Sequence, residues 1–279
     1  MLKIALAMEK LGPTCILCMT TDSIMFINSH DQDAGVHAWI KTDVNTLFSG
    51  YRIASSSNNE IYFSVLTDSL IRVARVAQQA AETRICLTVS HGQPLLEWRI
   101  TLENRVGSTN VSSHELEIQL LTSERMQPLM EPPVLPSPQA YILLPSLQSM
   151  KHLADRAKSL SKFLTVSANM NGQLKLVIDT ELAQVDAQFN RLENPRLDGH
   201  HPSEQNRTQF VSARIATDDL VHFLHCHHLD PQNVICAITD QMYIAFYVYV
   251  NLNIHIQADD HPIETQSTIM TCHLPVYHY

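Results

Sequence analysis

The chain of 279 residues contains only seven glycines. Glycine-rich loops that cradle phosphates have little to be built from, and no GxGxxG, P-loop or GxSxG motif occurs. The commonest signatures of dinucleotide, nucleotide and acyl-transfer enzymes are therefore missing. No run of 18 apolar residues exists, so no segment reads as a membrane-spanning helix. The opening MLKIALAMEK lacks a small-residue cleavage site and does not read as a signal peptide. Without a secretion signal, the sequons at Asn110 and Asn206 read as chance. The six cysteines, Cys15, Cys18, Cys86, Cys226, Cys236 and Cys272, sit mostly in apolar runs. There they act as small buried hydrophobes, which suits a reducing compartment. Cys15 and Cys18 have CxxC spacing, but strand residues i and i+3 face opposite sides, and no second CxxC accompanies them. Charged residues are scarce at 17%, against 45% apolar, so long disordered tracts are not expected. The net charge of −9 argues against nucleic acid when averaged over the chain, but leaves room for basic residues gathered on one face.

What is present is a repeat. Shifted by 150 residues, Thr67-Asp68-Ser69-Leu70 lies over Thr217-Asp218-Asp219-Leu220. Ile85-Cys86 lies over Ile235-Cys236, and Ile24 and Phe26 lie over Leu174 and Leu176. Asp22 falls where Gly172 turns. A constant offset at three landmarks argues for two copies of one fold, and the chain length agrees with two domains. Between them lies SERMQPLMEPPVLPSP, with Pro128, Pro132, Pro133, Pro136 and Pro138. Such proline density reads as an extended linker. The expected organisation is a first domain at 1–121, a linker at 122–138 and a second domain at 139–279.

In the first copy, Leu2 to Leu11 reads as a helix stopped by Gly12-Pro13. Thr14–Met19 and Ser23–Asn28 read as a strand pair, followed by a polar loop at 30–35. Val36–Thr42 and Ile61–Leu66 read as strands. Thr67 is expected to cap a helix to about Ala81, with Asp68, Arg72, Arg75 and Gln79 on one face. Arg84–Ser90 and Leu95–Leu102 form a hairpin across His91-Gly92, and His114–Leu121 closes the copy. In the second copy, the strand Ala140–Leu144 precedes a helix capped by Ser146 and running to about Ser161. Its apolar side holds Leu147, Met150, Leu153, Ala154, Ala157 and Leu160. Its polar side holds Gln148, Lys151, Asp155, Lys158 and Lys162, with His152, Arg156 and Ser159 at the margin. Asn171-Gly172 sits between two alternating runs as a hairpin turn. Gln184–Leu192 alternates, 193–207 is a polar loop, Val211–Ile215 is a strand, and Thr217 is expected to cap the next helix. Val234–Thr239, Tyr243–Val250, Leu252–Ile256 and Thr268–Leu274 finish it in β.

His222, His225, Cys226, His227 and His228 crowd that second helix. His222 and Cys226 stand at i, i+4, a spacing that can hold a metal. On an α-helical wheel His227 and His228 point elsewhere, and no further ligand is identifiable. The cluster reads as a polar face that gains charge as pH falls. No catalytic residue, metal or cofactor is assigned.

The combination resembles the Hus-type subunit of the heterotrimeric checkpoint sliding clamp, the nine-one-one complex. The residues that carry the resemblance are Asn58-Asn59-Glu60-Ile61-Tyr62, Glu131-Pro132-Pro133-Val134 through Pro138, and Tyr141 to Pro145. They continue with Met150-Lys151, Ala168-Asn169, Gly172, Thr180-Glu181-Leu182 and Asn194-Pro195. The likeness covers about Leu6 to Tyr249. It implies an α+β protomer of two clamp domains, with helices lining a ring and antiparallel sheets outside. It implies a non-enzymatic nuclear protein that encircles double-stranded DNA without sequence preference and supports checkpoint signalling and repair in the cell cycle and meiosis. Two different sister subunits, a clamp loader and proteins docking near the linker are the implied partners. Lys151, Lys158, Lys162, Arg72, Arg75 and Arg156 would face DNA. Subunits would join by strand addition between Glu115, Glu117, Gln119 and Leu121 of one edge and Gln184, Asp186, Gln188 and Asn190 of another.

The alternatives are a homotrimeric replication clamp and a metal-dependent hydrolase built on the helix at His222–His228. The segment 251–267 is longer than the family's closing hairpin. Subtracting 150 from the opening strand and helix of the second copy puts their counterparts at −10 to −6 and −4 to 11. The first copy is thus expected to lack its first strand, as a shortened isoform or incomplete reading frame would. Its domain should then be the less stable, with Leu2–Leu11 frayed.

Overall fold

The computed structural model describes residues 1–28, 35–103, 109–130, 136–180, 184–195, 207–250 and 268–278. The chain divides into two compact units, residues 1–29 with 41–131, and residues 30–40 with 132–279.

In the first unit, α1 (Leu2–Leu11) is a helix of ten residues that buries Ile4, Ala5, Ala7, Met8 and Leu11. The hairpin β1 (Thr14–Met19) and β2 (Ser23–Asn28) follows. β3 (His37–Asp43) counts with the second unit up to Ile40. Then come α2 (Val44–Leu47), β4 (Ile61–Leu66), α3 (Thr67–Ala77), β5 (Glu82–Ser90), β6 (Gln93–Glu103), β7 (Thr109–Leu120) and α4 (Ser123–Met126). The strand order is β5-β6-β7-β4-β1-β2, and α1 packs on α3. The β5–β6 turn is His91-Gly92, with φ of 52° and 80°. Paired positive φ values match the right-handed twist of a hairpin and favour glycine at the second position.

In the second unit, β8 (Ala140–Leu143) precedes α5 (Leu147–Lys158) and the strands β9 (Phe163–Ala168), β10 (Leu174–Asp179) and β11 (Gln184–Phe189). Next come β12 (Val211–Ala216), α6 (Thr217–Leu224), a 3₁₀ turn at His225–Leu229, β13 (Pro231–Thr239), β14 (Tyr243–Val250) and β15 (Thr268–Leu274). One sheet has the order β11-β10-β9-β12, and the other runs β3-β15-β14-β13-β8. Helix α5 packs on α6, and Phe223 of α6 stacks on Phe246 of β14 at 4.1 Å between ring centroids. The expected strand at Leu252–Ile256 lies outside the described residues.

The repeat is visible in the elements. β4 and β12, α3 and α6, and β6 and β14 begin at residues 61 and 211, 67 and 217, and 93 and 243. In the second unit β8 flanks β13, whereas among the described strands of the first unit the order ends at the equivalent strand, β5.

The two threonines at the equivalent position do not cap their own helices. Leu66 and Ala216 are the N-caps, and Thr67 and Thr217 are the first helical residues, each 1% exposed. Their hydroxyls reach back across the fold instead. Thr67 Oγ1 lies 3.0 Å from the Gly12 carbonyl and 2.9 Å from that of Pro13, and its N–H donates to Pro13 O. The Thr217 hydroxyl donates to Ser161 O at 2.9 Å, and its N–H donates to Lys162 O. In both copies the start of the second helix is thereby latched to the join between the first helix and its strand.

Other boundaries shift for local reasons. Ser146 does sit at the N-cap of α5, but its side chain makes no capping bond. Helix α5 stops at Lys158, not Ser161, where the Ser159 hydroxyl bonds the Arg156 carbonyl and competes with the backbone. Helix α3 stops at Ala77, not Ala81, because the Ala81 amide is already taken by Thr101 O at the start of the β5–β6 ladder. Within the expected extended linker, the proline-free Ser123–Met126 forms a helical turn around the fully buried Met126.

The β9–β10 turn fixes where β11 lies. Asn169 Oδ1 accepts from the amides of Asn171 and Gln173. Gly172, at φ +73°, lies so close to Leu192 that a Cβ would sit 2.4 Å from its carbonyl oxygen, and the Leu192 amide donates to Gly172 O. Asn194 Nδ2 donates to the carbonyls of Tyr141 at 2.6 Å and Asn169 at 3.1 Å. Tyr141, Asn169, Gly172 and Asn194, far apart in sequence, meet in one junction that ends β11.

Beside β15, Trp39 of β3 meets His273 edge-on at 5.3 Å. Burial, and next the neighbouring His37, push the His273 pKa down to about 4.

Two outcomes follow for stability. Thr217→Val keeps the shape but leaves buried polar groups unmatched, and should cost about 1–3 kcal/mol in denaturant unfolding; a neutral effect would remove the latch from the account. His273 binds its proton more weakly folded than unfolded. Its stabilising contribution is therefore complete above about pH 6.5 and is lost as pH falls towards 4, on the order of 2 kcal/mol. Unfolding curves between pH 7 and 4 should show that fall, and His273→Gln should flatten it.

Candidate nucleic-acid and subunit interfaces

Four of the six apolar residues assigned to the inner side of α5 are buried: Leu147, Met150, Ala154 and Ala157. Leu160 lies past the helix and is 56% exposed. The cations assigned to its polar side do face outward, but they are not bare. Lys151 Nζ pairs with Asp155 one turn on at 2.8 Å, and Lys158 Nζ pairs with Asp218 of α6 at 2.7 Å. Lys162 is not on the helix. It lies just before β9, with its ammonium over the Phe163 ring at 5.5 Å. Arg156 is exposed. On α3, Arg72 pairs with Asp68 at 3.4 Å and touches Ser69 Oγ at 3.0 Å, and Arg75 is exposed. Gln79 lies past the end of α3.

Surface pairs of this kind contribute about 0.2–1 kcal/mol and part readily when a phosphate competes. What matters is the balance on each helix pair. On α5 and α6, Lys151, Arg156 and Lys158 are matched by Asp155, Asp218 and Asp219. On α1 and α3, Lys3, Lys10, Arg72 and Arg75 outnumber Glu9 and Asp68. The cationic surplus therefore sits on the helix pair of the first unit. Sequence reasoning passed over Lys3 and Lys10, although α1 was itself legible as a helix.

The sheet edges form the second set of surfaces. Among the described strands β11 pairs only with β10 and ends its sheet, and Gln184, Val185, Asp186 and Gln188 are exposed along it. Asn190 lies past the strand, where its Oδ1 accepts from Gln173 and Gln188. Between β11 and α5 runs a cavity of about 180 Å³, lined by Leu153, Leu160, Leu164, Ile178, Val185 and Ala187 among others.

On β7 the open stretch differs from the expected Glu115–Leu121. Ile118 to Leu120 are already paired with β4, and the Leu121 amide donates to Tyr62 O. Gln119 and Leu121 are thus engaged within the unit. Residues Thr109 to Glu117 have one ladder partner each, on β6, among the described strands. Glu115 and Glu117 are exposed there. Both open edges are acidic, with Glu115 and Glu117 on one and Asp186 on the other.

The histidine-rich segment is not a single helix. His222 is exposed on α6, whereas Cys226 falls in the 3₁₀ turn, is 2% exposed, and has its thiol pushed up by burial. Burial also pushes Cys15 up to about 12 and Cys18 up to about 11, so the CxxC thiols stay protonated.

Comparisons with known proteins agree with this architecture. The family model described as Hus1-like protein matches residues 1–277. The checkpoint protein hus1 of Schizosaccharomyces pombe is 28% identical, over 97% of this chain and 93% of its own length. Human checkpoint protein HUS1 is 29% identical over 88% of each. Among solved structures, proliferating cellular nuclear antigen from Entamoeba histolytica superposes with a TM-score of 0.68 at 11% identity, covering 99% of this chain and 94% of that one. PCNA from Thermococcus kodakaraensis gives 0.67 at 14%, covering 99% and 95%. The fold is that of a sliding clamp, and the chain belongs to the Hus1-like protein family.

Proposed function

We propose that this chain is a non-enzymatic subunit of a heterotrimeric clamp that encircles double-stranded DNA in the nucleus and supports damage checkpoint signalling and repair. Its partners would be two different sister subunits, a clamp loader, and proteins docking near the linker at 122–138.

The observation that carries the reading is strand addition already performed within the chain. β3, which belongs to the first copy, lies beside β15 of the second. By order in the repeat, β3 corresponds to β11, each being the strand after the first hairpin, and β15 corresponds to β7, each being the third strand after the second helix. The open edges of β11 and β7 are thus the repeat equivalents of two edges that pair inside one chain. Open edges are a hazard unless covered, and a neighbour's strand would cover these. Like charges facing each other across a ladder destabilise it. Glu115 and Glu117 on one edge and Asp186 on the other therefore favour different partners over copies of this chain, which speaks against the homotrimeric replication clamp.

DNA would meet the surface cations Arg72, Arg75, Lys151, Arg156, Lys158 and Lys162, together with Lys3. Phosphate contacts of this kind carry no sequence information and suit a ring that slides. The near-neutral α5–α6 pair implies few contacts from the second unit and more from the first.

Charge reversal tests this. In the assembled complex on closed circular DNA, Arg72→Glu with Arg75→Glu should shorten retention more than Lys151→Glu with Lys158→Glu. The slope of log K against log salt should become shallower by about 0.9 for each phosphate no longer neutralised. Stability should fall by about 1 kcal/mol or less for each ion pair lost, since Arg72, Arg75 and Lys158 are exposed and Lys151 is half-buried. Unchanged retention in both double variants would remove these helices from the DNA interface.

A further inference from the structure

After Leu224 the chain tightens from α6 into the 3₁₀ turn His225–Leu229. At three residues per turn, side chains at i and i+3 eclipse. His225 and His228 therefore lie over each other, with ring centroids 6.0 Å apart and planes at 18°. His227 closes the group, at 4.1 Å from His228 and 6.0 Å from His225. One ring nitrogen from each of the three lies within 4.8 Å of the other two. On an α-helical wheel His225 and His228 are neighbours but His227 is turned about 160° from His225; the tighter turn reduces that to about 120° and eclipses His225 with His228, and the group leaves out the pair His222 and Cys226 suggested by i, i+4 spacing.

Their chemistry suits a cation. His227 Nδ1 lies 2.9 Å from the Leu224 carbonyl. A carbonyl only accepts, so the proton resides on Nδ1 and the Nε2 lone pair is left facing away. A backbone bond of this type is what orients the imidazole ligands of metal sites. The backbone is held as well: Cys226 and Leu229 are buried at 2% and 0% exposure, and the Asp230 amide, in a left-handed residue at φ 56°, donates to His227 O. A zinc ion at about 2.0–2.1 Å from three nitrogens needs them roughly 3.3 Å apart, so metal binding would draw the three rings closer than the present spacing within 4.8 Å. Imidazole ligands select zinc, copper or nickel over magnesium or calcium, which take oxygen.

We propose that His225, His227 and His228 bind one borderline divalent transition-metal ion, zinc by class, with its fourth position open to water. It would tie the end of α6 to the start of β13.

The test uses the full chain, stripped with chelator and dialysed against zinc chloride, with metal counted per chain. The parent should bind one equivalent. His228→Ala, at an exposed position that leaves folding intact, and His227→Gln should each weaken binding at least about tenfold, while His222→Ala and Cys226→Ala should leave it unchanged. Cobalt in place of zinc should give weak tetrahedral visible bands with no thiolate charge-transfer band. No saturable zinc binding by the folded parent would overturn the proposal. So would binding that survives in the His227→Gln, His228→Ala double variant, or a cobalt spectrum showing thiolate.

Discussion

Two buried hydroxyl groups decide how this chain is put together. Thr67 and Thr217 each spend a side-chain donor and a backbone donor on the carbonyls that join the first helix of a copy to the strand that follows it. The second helix must therefore start where the first ends, and the two lie side by side as α1 with α3 and α5 with α6. Buried carbonyls without donors would cost about as much as a core truncation of moderate size, so the arrangement is conditional on these bonds. With helices committed to covering the sheets, the free hydrogen-bonding capacity of the fold is pushed to the strand edges. There it becomes either a liability or an assembly device.

The edges of this chain have the character of a device that selects. β11 is pinned at its end by the junction of Gly172, Leu192 and Asn194, so its outer row of backbone groups is held in register. The cavity beside it exposes Leu160 and Val185 next to that row. Backbone pairing gives affinity to any strand, and under the proposed assembly the acidic side chains Glu115, Glu117 and Asp186 would discriminate among them. The same logic applies to the helices. In the proposed ring, cations partnered by Asp68, Asp155 and Asp218 would hold DNA loosely, and a sliding ring needs loose contacts that exchange rather than a fixed grip.

Much of this was legible in the sequence because it depends on local period. The strands Thr14–Met19, Ser23–Asn28 and Ile61–Leu66 have the bounds their alternation predicts. The repeat located Thr67 and Thr217, yet not their role, because a threonine before a helical pattern looks like a cap and its real partners lie 54 to 56 residues away. The open part of β7 was misplaced for the same kind of reason: alternation shows a strand but not which neighbour claims Ile118–Leu120. Lys158 read as a free cation because Asp218 belongs to another helix. A wheel of 3.6 residues set His227 and His228 apart from His222 and Cys226, and no local signal marks the tightening after Leu224.

The central claim is that this protomer is built to pair with chains other than itself. Native mass spectrometry of the chain expressed alone, and co-expressed with the two sister subunits, tests it directly. The account predicts no stable homotrimer from the chain alone and a 1:1:1 complex on co-expression. A stable homotrimer formed by this chain alone would contradict it.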